Sequence, residues 1–157
     1  MDNKHYKLDR IDRQILRLLQ KDASISITDL AEKVNLTTTP CWRRIHRLEE
    51  LKIISNRVVL IDAKKVDLSF IGFVQIKTSN HSAQWYHKFS KIIMDFPEVT
   101  AFYRMAGEYD YLMQVRVKDI NSFDVFYKKL VQEVEGLIDV NSTFAMEELK
   151  HTYELPI

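Results

Sequence analysis

The spacing of apolar residues divides the chain into a helical first third and a mixed remainder. In "LDRIDRQILRLLQKD" the positions Leu8, Ile11, Ile15, Leu18 and Leu19 recur at the helical period, which predicts an amphipathic helix over Leu8–Gln20. "SITD" follows, with Ser26 three residues before Asp29, a capping pattern that opens a short helix over Ile27–Val34. Asn35 suits the left-handed conformation that ends such a helix. A third helix begins in "LTTTPCWRRIHRLEELKII", capped by Thr37 or Thr39, with Pro40 in the first turn, where its missing N–H costs nothing. Two short helices joined by a few residues after a first one make a helix-turn-helix.

Beyond Ile53 the period changes. "ISNRVVLID" alternates as a strand and "AKKVD" reads as a polar connector. From Leu68 onward the order is regular: strand "SFIGFVQIKT", helix "SAQWYHKFSKIIMDF", strands "VTAFYRMA" and "YDYLMQVRV" joined tightly at Gly107-Glu108, helix "INSFDVFYKKLVQEV" ended by Gly136, and strand "IDVNSTFAME". This βαββαβ order predicts a ferredoxin-like antiparallel sheet with both helices on one face. The fold class is therefore α+β, with a helix-turn-helix (winged) domain over 1–53, a strand linker over 54–67 and a ferredoxin-like domain over 68–157. Two alternating sets of strand residues compete for the face under the helices. One is Tyr109, Tyr111, Met113, Val115, Ile138, Val140, Phe144 and Met146, the other is more polar, and the pattern does not choose between them. Either choice leaves a half-apolar face that a second subunit would cover.

Composition adds an asymmetry. Net charge is +1 overall, but residues 1–60 carry 12 Lys/Arg against 8 Asp/Glu, and residues 61–157 carry 11 against 14. A basic module thus precedes a mildly acidic one, a distribution that fits an anionic partner for the first. The opening "MDNKHYKLDR" has no apolar run of the kind a signal peptide needs, and no segment reaches the roughly 20 apolar residues of a membrane span. The single cysteine, Cys41, rules out an internal disulfide and fits a reducing cytoplasm. One Cys and five scattered His show no metal-ligand spacing, so neither metal nor cofactor is expected.

The third helix carries the candidate chemistry. At about 100° per residue, Cys41, Ile45 and Leu48 share an inward face. Thr39, Arg43, His46 and Arg47 fall opposite, with Trp42 and Arg44 on the flanks. The outer face of the last helix of such a unit is the one free to enter a major groove. Arginines there grip guanine edges bidentately, and Thr37, Thr38 and Thr39 at the helix start suit phosphates. A charged, solvated helix face is the plainer reading. The basic cluster, with Glu49 and Glu50 as the acids near its end, favours double-stranded DNA. Cys41 belongs to the packing face and is not read as a nucleophile.

The combination of "LDRIDRQILRLLQKDA", "NLTTTPCWRRIHRLEELKII", "GEYDYLMQV" and "FAMEELKHT" resembles the Lrp/AsnC (feast/famine) family of transcription regulators, over essentially the whole chain. The resemblance implies an amino-acid-responsive regulator, cytoplasmic and nucleoid-associated, that assembles as homodimers and as octamers built from four dimers. It also implies a RAM/ACT-like second domain that binds its effector at the hairpin. The matching positions are Arg104, Ala106, Gly107, Glu108 and Asp110, with Ile120, Thr143 and Ala145 nearby. The wording "NLTTTPCW", "MAGEYDYLM" and "LPI" is similar to a type tied to cysteine detoxification, which implies a sulfur amino acid as effector. Arg104 stands where leucine-responsive members have an apolar residue, which argues against leucine. The chemistry is sensible: Gly107 permits a turn whose N–H groups face a carboxylate, Arg104 assists, and Glu108 or Asp110 takes the ammonium. Two other classes share the framework. One is an enzyme resembling the sirohaem decarboxylases, which needs a cleft lined with catalytic His or Arg. The other is a metabolite sensor without DNA contact, against which Arg43 and Arg47 speak.

Overall fold

Residues 6–157 are described by a computed structural model, and the first five residues of the opening segment lie outside them. Two compact units result, one formed by 6–60 together with Lys150–Ile157, the other by Ile61–Leu149.

The first unit holds α1 (Arg10–Lys21), α2 (Ile27–Lys33) and α3 (Thr38–Glu50). Helix α1 starts two residues later than its apolar period suggests, because Asp9 caps it. The Asp9 carboxylate accepts the Asp12 N–H, and the Asp12 carboxylate accepts the Asp9 N–H in return. Ser26 caps α2 by accepting the Asp29 N–H, and Asn35 at φ 54° ends the turn as expected. Thr37 occupies the N-cap of α3, but its hydroxyl makes no capping bond. Ile15, Leu16, Leu30, Ala31, Val34, Cys41, Ile45 and Leu48 are buried together as the core of this unit. Residues 55–62, where the alternating pattern predicts a strand, form neither helix nor strand and join no ladder with other described residues, and Val58–Ile61 are exposed.

The second unit is the expected βαββαβ: β1 (Phe70–Thr78), α4 (Ala83–Met94), β2 (Val99–Arg104), β3 (Tyr111–Val117), α5 (Ile120–Glu133) and β4 (Leu137–Phe144). All pairings are antiparallel, in the order β2-β3-β1-β4. Ser82 and Asp119 cap the two helices through the N–H groups of Trp85 and Ser122. Val74, Ile76, Met113 and Val115 meet Phe89 and Ile93 of α4 and Phe123, Phe126 and Leu130 of α5 in one core. The face left open by the sequence is thereby decided: Tyr111, Met113 and Val115 lie under the helices, and Leu112, Gln114 and Arg116 point away. Ile138 breaks with its set. A register shift between Lys77 and Thr78 makes Leu137 the core residue and leaves Ile138 largely exposed. The hairpin is not a two-residue turn either. Met105 N–H donates to the Asp110 carbonyl at 2.8 Å, with four residues between them.

Candidate DNA-recognition helix and effector hairpin

Helix α3 presents the two faces expected of it. Cys41, Ile45 and Leu48 are buried, while Thr37, Thr38, Thr39, Trp42, Arg43, His46 and Arg47 are exposed. Burial pushes the Cys41 thiol up from its ordinary value, consistent with a packing role. On the outer face the Trp42 and His46 rings stack at 5.1 Å, and His46 Nε2 lies 3.3 Å from Glu50 Oε1. The Arg47 guanidinium sits 4.4 Å above the Tyr6 ring. Arg43 makes no ion pair with the described residues. With the unbonded Thr37 hydroxyl and its neighbouring threonines, it forms a cationic, donor-rich surface at the start of the helix.

Arg44 corrects the sequence reading. It turns to α1 and not outward, with Nη1 at 2.6 Å from Asp9 Oδ2 and 2.7 Å from Asp12 Oδ1. Asp12 is fully buried and also accepts from the Tyr6 hydroxyl at 2.8 Å. The two carboxylates hold the guanidinium's pKa above its ordinary value. Donation from the Asp12 N–H, then from Arg44, holds the Asp9 carboxyl below its own. Arg44 therefore fixes α3 to the N-terminus of α1. Arg57, unremarked in the sequence, pairs with Glu49 at 3.2 Å. A capped Asp9 with Asp12 three residues on was a visible signal of an acidic clamp, but nothing local named its cation.

The hairpin residues divide similarly. Ala106, Gly107 and Glu108 are exposed at its tip. Gly107 has no atom within 4 Å of where a Cβ would stand, and φ is positive at Gly136 alone among the described glycines. Glycine's conformational freedom is thus not what shapes this loop. Asp110 is occupied structurally: its Oδ2 accepts the Thr78 N–H at 2.8 Å, and its own N–H donates to the Ile76 carbonyl at 2.9 Å. One oxygen of its carboxylate is thus engaged in holding β1. The Arg104 guanidinium lies 5.8 Å from the Tyr86 ring centroid, and Tyr86 stacks on Tyr111. Thr143 pairs with Phe73, and Ala145 N–H donates to the Ile71 carbonyl, both toward the other end of β1. Ile120 follows the far end of β3, about 20 Å along the strand from Tyr111. One chain does not gather these eight residues into a single pocket.

A sheet with both helices on one side, preceded by a helix-turn-helix with a basic outer face, defines a class of ligand-responsive regulators. The family comparisons agree with the geometry: an AsnC-type helix-turn-helix domain matches residues 8–49, and an Lrp/AsnC ligand-binding domain matches residues 71–155. The chain belongs to the Lrp/AsnC family. It is 54% identical over 150 residues to the DNA-binding transcriptional activator DecR of Escherichia coli K12, covering 96% of this chain and 99% of that protein. An AsnC family transcriptional regulator from Agrobacterium tumefaciens has the same structure at TM-score 0.93 and 50% identity, over 95% of this chain and 97% of that one. The regulator NMB0573 from Neisseria meningitidis, solved in complex with L-Met, matches at TM-score 0.89 and 31% identity over 96% and 97%. No described helix is long and apolar enough to cross a membrane, and the described residues contain no group of three or more metal-ligating side chains.

Proposed function

We propose that this protein is a sequence-specific DNA-binding transcription regulator whose assembly or DNA affinity responds to a small amino acid. The outer face of α3 carries the reading, because Arg43, Arg47 and the Trp42–His46 step are exposed beside donors at the helix start. Arg43 and Arg47 read base edges, Thr37, Thr38 and Thr39 hold phosphates, and Trp42 offers an apolar edge to a thymine methyl. Such work places the protein in the cytoplasm, at the nucleoid.

The effector reading rests on the split site. Arg104, Ala106, Gly107, Glu108 and Asp110 lie at one end of the sheet, and Ile120, Thr143 and Ala145 lie toward the other, so a second copy would bring the two sets together. A homodimer, and an octamer of four dimers, meets that need and also matches paired half-sites on DNA. The methionine complex of the Neisseria regulator favours a sulfur amino acid as effector.

Footprinting on the promoter of its own gene, with and without each amino acid, tests the whole reading. Arg43→Ala should weaken operator binding by about 1–3 kcal/mol and relax base preference at one position. Arg47→Ala should do the same, less any loss from its contact with Tyr6. If the double variant kept the parent's affinity and salt dependence, α3 would not be the reading helix.

A further inference from the structure

The chain enters the helix-turn-helix unit twice, because Lys150–Ile157 belong to it along with 6–60. These residues form neither helix nor strand, and they lie along α1. The Gln20 side-chain amide takes both backbone groups of Leu155: Oε1 accepts its N–H at 2.6 Å, and Nε2 donates to its carbonyl at 3.2 Å. Arg17 Nε donates to the Ile157 carbonyl oxygen. Ile157 packs on the core of the unit, whereas Tyr153 and Leu155 keep their side chains in solvent. The segment is thus held by its backbone and one apolar residue. Hydrogen bonds that exchange with water contribute little net stability each, so this docking is reversible by construction.

Upstream, the segment is short, and Glu148 ties it to β3 through an ion pair with Arg116. Residues 146–149 join it to Ala145 at the end of β4, and Met146 and Leu149 are almost wholly exposed. Five residues span at most about 17 Å, so a displacement at Ala145 is not absorbed by slack. We infer that the α1 surface bearing Arg17 and Gln20 is a docking site for the chain's own 150–157 segment, and that this latch couples the end of β4 to the DNA-binding unit. Docked, the unit has two chain attachments; released, it has one and more orientational freedom. Greater freedom costs more entropy when paired units must meet two half-sites, so release weakens DNA binding. The coupling to amino acid rests on the effector reading above, since Thr143 and Ala145 lie at the upstream end of the 146–149 connector. An effector changes DNA affinity only by favouring one of the two states, and the coupling is reciprocal.

The test uses the full chain and two variants acting on opposite partners. Gln20→Ala removes both amide bonds and keeps a good helix former, while Leu155→Pro removes the N–H from the segment and leaves α1 untouched. Hydrogen exchange of 150–157 should be slow in the parent and fast in Gln20→Ala. Both variants should raise the Kd for a duplex of the protein's own promoter roughly fivefold or more, the lower end of ordinary coupling between sites. With methionine as probe, the ratio of Kd values with and without ligand should fall toward one, while calorimetric binding of methionine persists. Exchange as fast in the parent as in Gln20→Ala, or parent-like Kd and ratio in both variants, overturns the latch. A parent unresponsive to every amino acid overturns the effector reading instead, and the ligand-free Kd comparison still decides the latch.

Discussion

Two adjacent arginines on one helix do different work, and substitution separates them. Arg44→Ala strands a buried Asp12 carboxylate and uncouples α3 from the α1 cap. The cost should be about 2–3 kcal/mol in thermal or urea unfolding, below the roughly 3–5 kcal/mol of a fully buried pair because the Arg44 side chain keeps 31% of its surface in water. Arg43→Ala should leave unfolding unchanged. Asp9 adds a pH dependence. Its folded carboxyl is held below the ordinary value, so the unfolded chain takes up the proton more readily. Its stabilisation is present above about pH 4 and is lost as pH falls through the lower folded value. Thermal melts at stepped pH should show this loss in the parent and a flatter profile in Asp9→Asn. Ser26 was legible as a cap because its partner is three residues away. Arg44 was not, since its carboxylates lie 32 and 35 residues off, and Asp110 escaped for the same reason, being tied to a strand 32 residues earlier.

At the level of elements, periodicity found every α-helix and the strands of the sheet, because each buries one face against the others, whereas the short 3-10 turn Ala63–Val66, which buries nothing, read as a polar connector. What it missed depends on pairing. The stretch 55–62 has the alternation of a strand but forms none and has no ladder partner among the described residues, and the face carrying Tyr111, Met113 and Val115 follows from register, which alternation leaves ambiguous by one residue. Ile138 was misplaced because a register shift cannot be seen in the pattern. Gly72 shows how tight the result is. A Cβ there would meet the Phe123 ring at 2.8 and 3.2 Å, where α5 crosses β1. Gly72→Ala should therefore destabilise the sheet unit by about 1–3 kcal/mol in denaturant titration. Gly107→Ala, with open space around it, should cost far less. A comparable loss in both would show that backbone freedom at the hairpin was undervalued.

The molecule has two separate hydrophobic cores, one per unit, and an outer sheet face with Phe73, Tyr103 and Leu112 among polar neighbours. With Val58–Ile61 also exposed, a lone chain leaves apolar side chains in solvent that a second copy would cover. Multi-angle light scattering on the full chain at micromolar concentration should find a dimer or larger, and a clean monomer would remove the second copy from the effector site. Cys41 has a practical consequence in this two-core arrangement. The only thiol in the chain is fully shielded between α3 and its neighbours, and burial keeps it in the unreactive protonated form. Alkylating reagents reach it only through openings of the helical unit, so its rate of modification clocks that unit alone while the sheet stays silent. Nature has left a single built-in stopwatch for the half of the molecule that reads DNA.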